Sequence, residues 1–121
     1  MSMDELSIAG IGISRQVVAS VVALAAEKVE GVASVGGNGN ITSSLIRIFT
    51  QKQLNTTDAV EAEVEGGKLK LTVHLAAFYG YPFRELADAV RNEVARAVSE
   101  QIGVEVASID IAIDSLVFPK E

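Results

Sequence analysis

The sequence predicts an α/β (α+β) fold, a two-layer sandwich in which two long helices pack on one face of a mostly antiparallel sheet. Three observations predict it. A helical period of three to four residues runs from Phe83 to Ile102, with charged residues filling the opposite side. Two-residue alternation of apolar and polar side chains runs through Val60 to Glu65 and again through Lys68 to Leu75, with Gly66-Gly67 between them. Every strand recognised this way has one apolar and one polar face, so the sheet buries one side and leaves the other in water. The expected order is β-α-(short α)-β-β-α-β, in a single domain spanning residues 1–121.

Leu6 to Ile13 reads as the first strand, loosened by Gly10 and Gly12. Ser14 suits a helix N-cap, because its hydroxyl accepts from an orphan backbone N–H. Position N3 is Val17, so the reciprocal capping box is absent. The first helix is expected from about Arg15 to Val29, closed by Gly31 in the left-handed conformation. Residues 36–57 read as a flexible loop able to hold a short helix. Gly36-Gly37-Asn38-Gly39-Asn40 is loop, and Thr42 or Ser43 can cap a turn through Leu45, Ile46, Ile48 and Phe49.

The Gly66-Gly67 turn tolerates positive φ and sets a two-residue hairpin. In that register Glu65 faces Lys68 and Glu63 faces Lys70, so opposite charges meet on the solvent face. Such exposed pairs contribute roughly 0.2–1 kcal/mol each, and their main effect is on register. In the second helix, Phe83, Leu86, Ala87, Val90, Val94, Ala97, Val98 and Ile102 form the apolar side. Pro82 suits its first turn and Gly103 its C-terminal cap. Ile109, Ile111 and Ile113 alternate with Asp110, Ala112 and Asp114 in a last strand, and Leu116, Val117 and Phe118 break that alternation.

A chain of 121 residues can bury a core without covalent staples. At 49% hydrophobic and only 5% aromatic, its core is expected from Val, Ile, Leu and Ala, and disorder is a poor reading. The chain has no cysteine, which excludes disulfides, thiol nucleophiles and cysteine-ligated metals. A formal charge of −6, with ten scattered Lys and Arg, disfavours nucleic acid and anionic lipid. The opening Met1-Ser2-Met3-Asp4-Glu5 lacks the features of a signal peptide. The longest apolar run, Val17 to Ala26, interrupted only by Ser20, is about half of the ~20 residues a spanning helix needs. The expectation is a cytoplasmic protein with no direct membrane insertion.

Three segments together resemble a known family. They are Ile13-Ser14-Arg15-Gln16-Val17 continuing to Val29-Glu30-Gly31-Val32-Ala33, the Glu-rich hairpin leading to Tyr79-Gly80, and the helix bearing Ala87 and Val90 with its Ile109-Asp110-Ile111 strand. In this order they resemble the alkaline-shock-protein family of bacterial envelope-stress proteins, over about Leu6 to Leu116. The chain has Phe78 where the family often has an acidic residue, and Asp58-Ala59 where it often has glycine. The resemblance implies a small non-enzymatic cytoplasmic protein linked to cell-envelope homeostasis or stress. It also implies self-assembly, and in some members a place beneath the membrane through a membrane-anchored partner. It carries over no catalytic residues.

No residue set suggests catalysis, and no cofactor or metal is expected. His74 is the only histidine, and its strand phase places it on the solvent face with Lys70 and Thr72. Glu61, Glu63 and Glu65 are spaced about 6.6–7 Å apart on one strand face, too far to share one ion without another strand. The glycine loop at residues 36–40 has no Gly-Lys-Ser/Thr after it and is no P-loop. A KH-like RNA-binding module is the alternative reading of the strand and helix order, but its Gly-x-x-Gly loop and basic groove are missing.

The first helix has little polarity over its middle turns. Its apolar surface is buried either between the sheet and the other helix or by a second subunit. The candidate interaction surface is therefore Ala19, Ala23 and Ala26 on that helix, the corner at Phe78, Tyr79 and Tyr81, and the tail at Leu116 and Phe118. A homo-oligomer is expected.

Overall fold

The computed structural model of the chain describes residues 5–35 and 59–118. The loop and short helix expected in residues 36–57 lie outside the described residues.

The first strand differs from expectation. It is a hairpin of β1 (Glu5–Ile8) and β2 (Ile11–Ser14), with Leu6 opposite Ile13 and Ile8 opposite Ile11. The turn places Ala9 at φ 54° and Gly10 at φ 80°, the double left-handed geometry that matches the twist of paired strands. Folding back buries Leu6 and Ile8 in the core, with Ile13 packed against it.

Ser14 caps α1 (Arg15–Glu27) as expected, its Oγ accepting from the Gln16 amide at 3.0 Å. The helix stops two residues short of Val29. Its last turn tightens, with the Lys28 amide donating to Ala25 O and the Val29 amide to Ala26 O. Gly31 then lies in the connection to a four-residue strand, β3 (Val32–Val35), which the sequence pattern did not announce. At φ 104° Gly31 turns the chain, and its carbonyl accepts from the Phe78 amide at 2.8 Å.

The main sheet is built around β5 (Lys68–Phe78). Its antiparallel partner β4 (Val60–Glu65) has the expected register, with Glu63 opposite Lys70 and Glu65 opposite Lys68. The charges pair differently, however, because Lys68 Nζ lies 3.4 Å from Glu105. β3 is also antiparallel to β5, along residues 75–77, whereas β4 covers residues 68–73. β3 and β4 thus follow one another along one edge of β5. The other edge is taken along its whole length by β6 (Val106–Val117), which runs parallel to β5. The sheet is thus mixed, with two antiparallel pairings as expected and one parallel pairing that the pattern did not announce. The reason is the intervening helix α2 (Phe83–Ala97), which carries the chain back across the sheet so that β6 starts where β5 starts.

Pro82 is the N-cap of α2, with its carbonyl accepting from the Leu86 amide at 2.9 Å. The helix widens into a π turn over Val98–Ile102, and Gly103 closes it at φ 85° with its amide on Val98 O. Leu86, Val90, Val94 and Val98 form the buried stripe of this helix, while Phe83 is exposed. They meet Leu69, Leu71, Val73, Leu75 and Ala77 from one face of β5, and Val18, Val22 and Ala26 from α1. Fully burying each Val or Leu contributes about 1.5–3 kcal/mol. Among the described residues, no aromatic side chain is buried in this core.

Candidate interaction surface

With the described core built from aliphatic residues, the rings around it are left for the surface. The chain has six aromatics, four Phe and two Tyr. Phe78, Tyr79, Tyr81 and Phe83 follow one another where β5 leaves the sheet, and Phe118 directly follows β6 beside them. The parallel pairing of β5 and β6 is what makes these two ends adjacent, since Ala77 pairs with Leu116 and Phe78 with Val117.

The Tyr79 amide donates to Val117 O at 2.8 Å, which draws the two chain ends together past the last ladder pair. The Tyr79 and Phe118 rings then stack with centroids 4.9 Å apart and planes 24° from parallel. Both stay open to solvent, Tyr79 at 58% and Phe118 at 62%, with Leu116 also exposed beside them. Offset stacking of this kind contributes about 0.5–1.5 kcal/mol beyond area burial. Together the two rings present one largely apolar plate to solvent.

Tyr81 has a different role. Gly80, at φ 106°, turns the chain so that the Tyr81 ring lies over Gly31. A Cβ on Gly31 would sit 2.9 Å from that ring and 3.1 Å from Leu86 Cδ1. The Tyr81 hydroxyl donates to Glu30 Oε2 at 3.2 Å, and that bond, with the nearby negative charge, raises the phenol pKa. Tyr81 lines a shallow open depression with Glu30, Pro82, Glu85, Leu86 and Ala89. Phe78 is half-buried at the end of the sheet.

The alanines of α1 are corrected by the structure. Ala19, Ala23 and Ala26 are buried within the chain itself, against the sheet and α2, and offer no free surface. Their small side chains let α1 approach its neighbours closely. The outward stripe carries larger residues, Val17 and Leu24, with Ser20 and Lys28 between and beyond them. Ile11, at the tip of the β1–β2 hairpin, is exposed as well.

His74 is on the face of β5 away from the helices, as expected, but it is not a loose surface residue. Its Nε2 lies 2.9 Å from Glu61 Oε2 on β4 and its Nδ1 lies 2.9 Å from Asp114 Oδ2 on β6. The hydrogen bond to Glu61 raises its pKa most, partial burial opposes, and the bond to Asp114 raises it further. Sequence reasoning missed Asp114 because its place beside His74 depends on the parallel register. Glu61 was within reach of the hairpin register, one step diagonally from His74. Among the described residues, no group of three or more His, Asp or Glu is disposed to hold a metal ion. No described helix is long and apolar enough to cross a membrane.

Comparison with known proteins points the same way as the segment order. Residues 4–118 match the alkaline-shock-protein family, described as having a cell envelope-related function. An uncharacterized protein of Bacillus subtilis (strain 168), YloU, is 26% identical over 106 residues, covering 88% of this chain and 87% of its own.

Proposed function

The chain belongs to the alkaline-shock-protein family, of cell envelope-related function, and from that premise we propose that it is a non-enzymatic assembly protein acting by self-association and protein–protein contact. The observation that carries this reading is the exposed Tyr79–Phe118 plate, set beside Leu116 on a chain whose core holds no ring among the described residues. Aromatic side chains supply large contact area at small entropic cost, and they are enriched at the centres of protein interfaces. Exposed together in a short cluster, they mark a docking surface better than they serve solubility.

The chemistry of His74 supports the non-enzymatic part. With the ring charged, both nitrogens donate to carboxylates of this chain, so in that state His74 has no lone pair with which to act as a base. The first contact we assign to a second copy of this chain. A membrane-anchored protein is the second contact, and it would place the assembly under the membrane without insertion.

Light scattering across a concentration series tests the reading. The expected result is a mass that rises with concentration. A strict monomer at high concentration, with no capture of a membrane-anchored protein from the native host, would end it.

A further inference from the structure

His74 sits at the middle of the central strand, and each neighbouring strand brings it one carboxylate. Glu61 on β4 and Asp114 on β6 are 13 and 40 residues away in sequence, yet each meets one ring nitrogen at 2.9 Å. Ionised carboxylates only accept hydrogen bonds. Each contact therefore needs an N–H on the ring. The imidazolium has two and the neutral ring has one. The arrangement is complete only when His74 is charged. On loss of the proton, one nitrogen turns a lone pair toward a carboxylate oxygen, and that contact opens.

We infer that Glu61, His74 and Asp114 form a proton-operated clasp that ties β4 and the end of β6 to β5 and releases one of them when His74 is neutral. The surrounding charges favour the closed form. β4 adds Glu63 and Glu65 to this face, β6 adds Asp110, and β5 adds Lys68 and Lys70. Five carboxylates thus share the face with two ammonium groups, and Lys68 is drawn toward Glu105. Arg15 and Arg91 reach the backbone of the outer strands, at the Ala62 and Ile109 carbonyls. The sheet's other face is covered by the helices.

Asp114 is a telling place for the clasp. It is the extra residue at an irregularity in β6, since Ile113 pairs with Leu75 and Ser115 with Ala76. Bulged residues bend a strand and re-aim the segment beyond them. That segment runs through Leu116 and Val117 to Phe118, just past the end of β6, which supplies one ring of the aromatic corner. Release of Asp114 is thereby coupled to the posture of that corner. This coupling to assembly rests on the function proposed above, but the clasp does not.

Histidine ring NMR on the full chain tests the clasp directly. The expected result is a titration midpoint above the ordinary value of 6.5, lowered by Glu61→Gln and lowered by Asp114→Asn. Backbone amides flanking Glu61 or Asp114 should shift with the same midpoint as the ring. A midpoint at or below 6.5, or one that neither variant moves, would overturn the inference. Both replacements preserve shape at partly exposed positions, and circular dichroism checks that each folds. Should one fail to fold, the other variant and the wild-type amide shifts still decide the question, whatever the oligomeric state.

Discussion

Ala23 and Leu24 are neighbours on α1 with opposite surroundings. Ala23 is 9% exposed and packed inside, whereas Leu24 is 63% exposed on the outward stripe. Placing an aspartate at each gives opposite outcomes. At Ala23 the new carboxylate enters a core in which no polar side chain is buried among the described residues, so nothing there is placed to accept its charge. An unpaired buried charge costs several kcal/mol, and protonating it leaves a carboxyl group without a partner. With the added loss of helix propensity, Ala23→Asp should cost about 3–5 kcal/mol. Whole domains are stable by only about 5–15 kcal/mol. At Leu24 the carboxylate stays in water, and the change should remain within about 1 kcal/mol. Urea unfolding followed by circular dichroism measures both. With a typical slope of about 1–3 kcal/mol per molar urea, Ala23→Asp should lower the midpoint by roughly 2 M or leave the chain unfolded. An Ala23→Asp protein as stable as the wild type would refute burial of this helix face within the chain.

Gly31→Ala should cost about 2–4 kcal/mol, from a strained left-handed backbone and a Cβ pressed into the Tyr81 ring. Adding Tyr81→Ala should recover the steric part only, and a double-mutant cycle with no coupling would contradict the contact. The pH dependence of stability has a definite sign. His74 binds its proton more tightly folded than unfolded, so the stabilisation is fully present below pH 6.5 and is lost as pH rises through the folded-state value. Unfolding curves of wild type and His74→Gln should converge across that window, and parallel curves would show that the proton is not linked to folding.

Much of the fold was legible because its signals are local. The β4–β5 register follows from alternation and Gly66-Gly67, and the buried stripe of α2 follows from its period. The misses have physical causes. Ala9 is a non-glycine residue at positive φ, so the β1–β2 turn lacks the usual pair of turn residues. β3 is four residues long and irregularly paired, too short for alternation to declare it. The direction of β6 does not show in its own residues, since alternation looks the same in parallel and antiparallel strands.

The geometry of the candidate surface was half legible. The aromatic corner and the tail are recognisable as rings and leucine outside any periodic pattern, and the structure stacks Tyr79 on Phe118. The side of α1 that packs inward was not legible, because that helix is apolar nearly all round. Small alanines are what close packing selects, so the inward face was the one that looked least like a core. Tyr81 shares the corner's sequence but serves the fold, over Gly31. The Glu61–His74–Asp114 bridge needed three strands in register before it could be seen.

Sedimentation velocity of the wild type beside a Tyr79→Ser/Phe118→Ser double variant decides whether the exposed ring pair drives self-association. Both side chains are more than half exposed, so the variant should fold with nearly unchanged stability. The wild-type sedimentation coefficient should rise with concentration, and the variant should need at least about tenfold more protein to associate, the equivalent of one lost contact of about 1.4 kcal/mol. Identical association of the two proteins, or no association of either at any concentration, would contradict self-association through the ring pair.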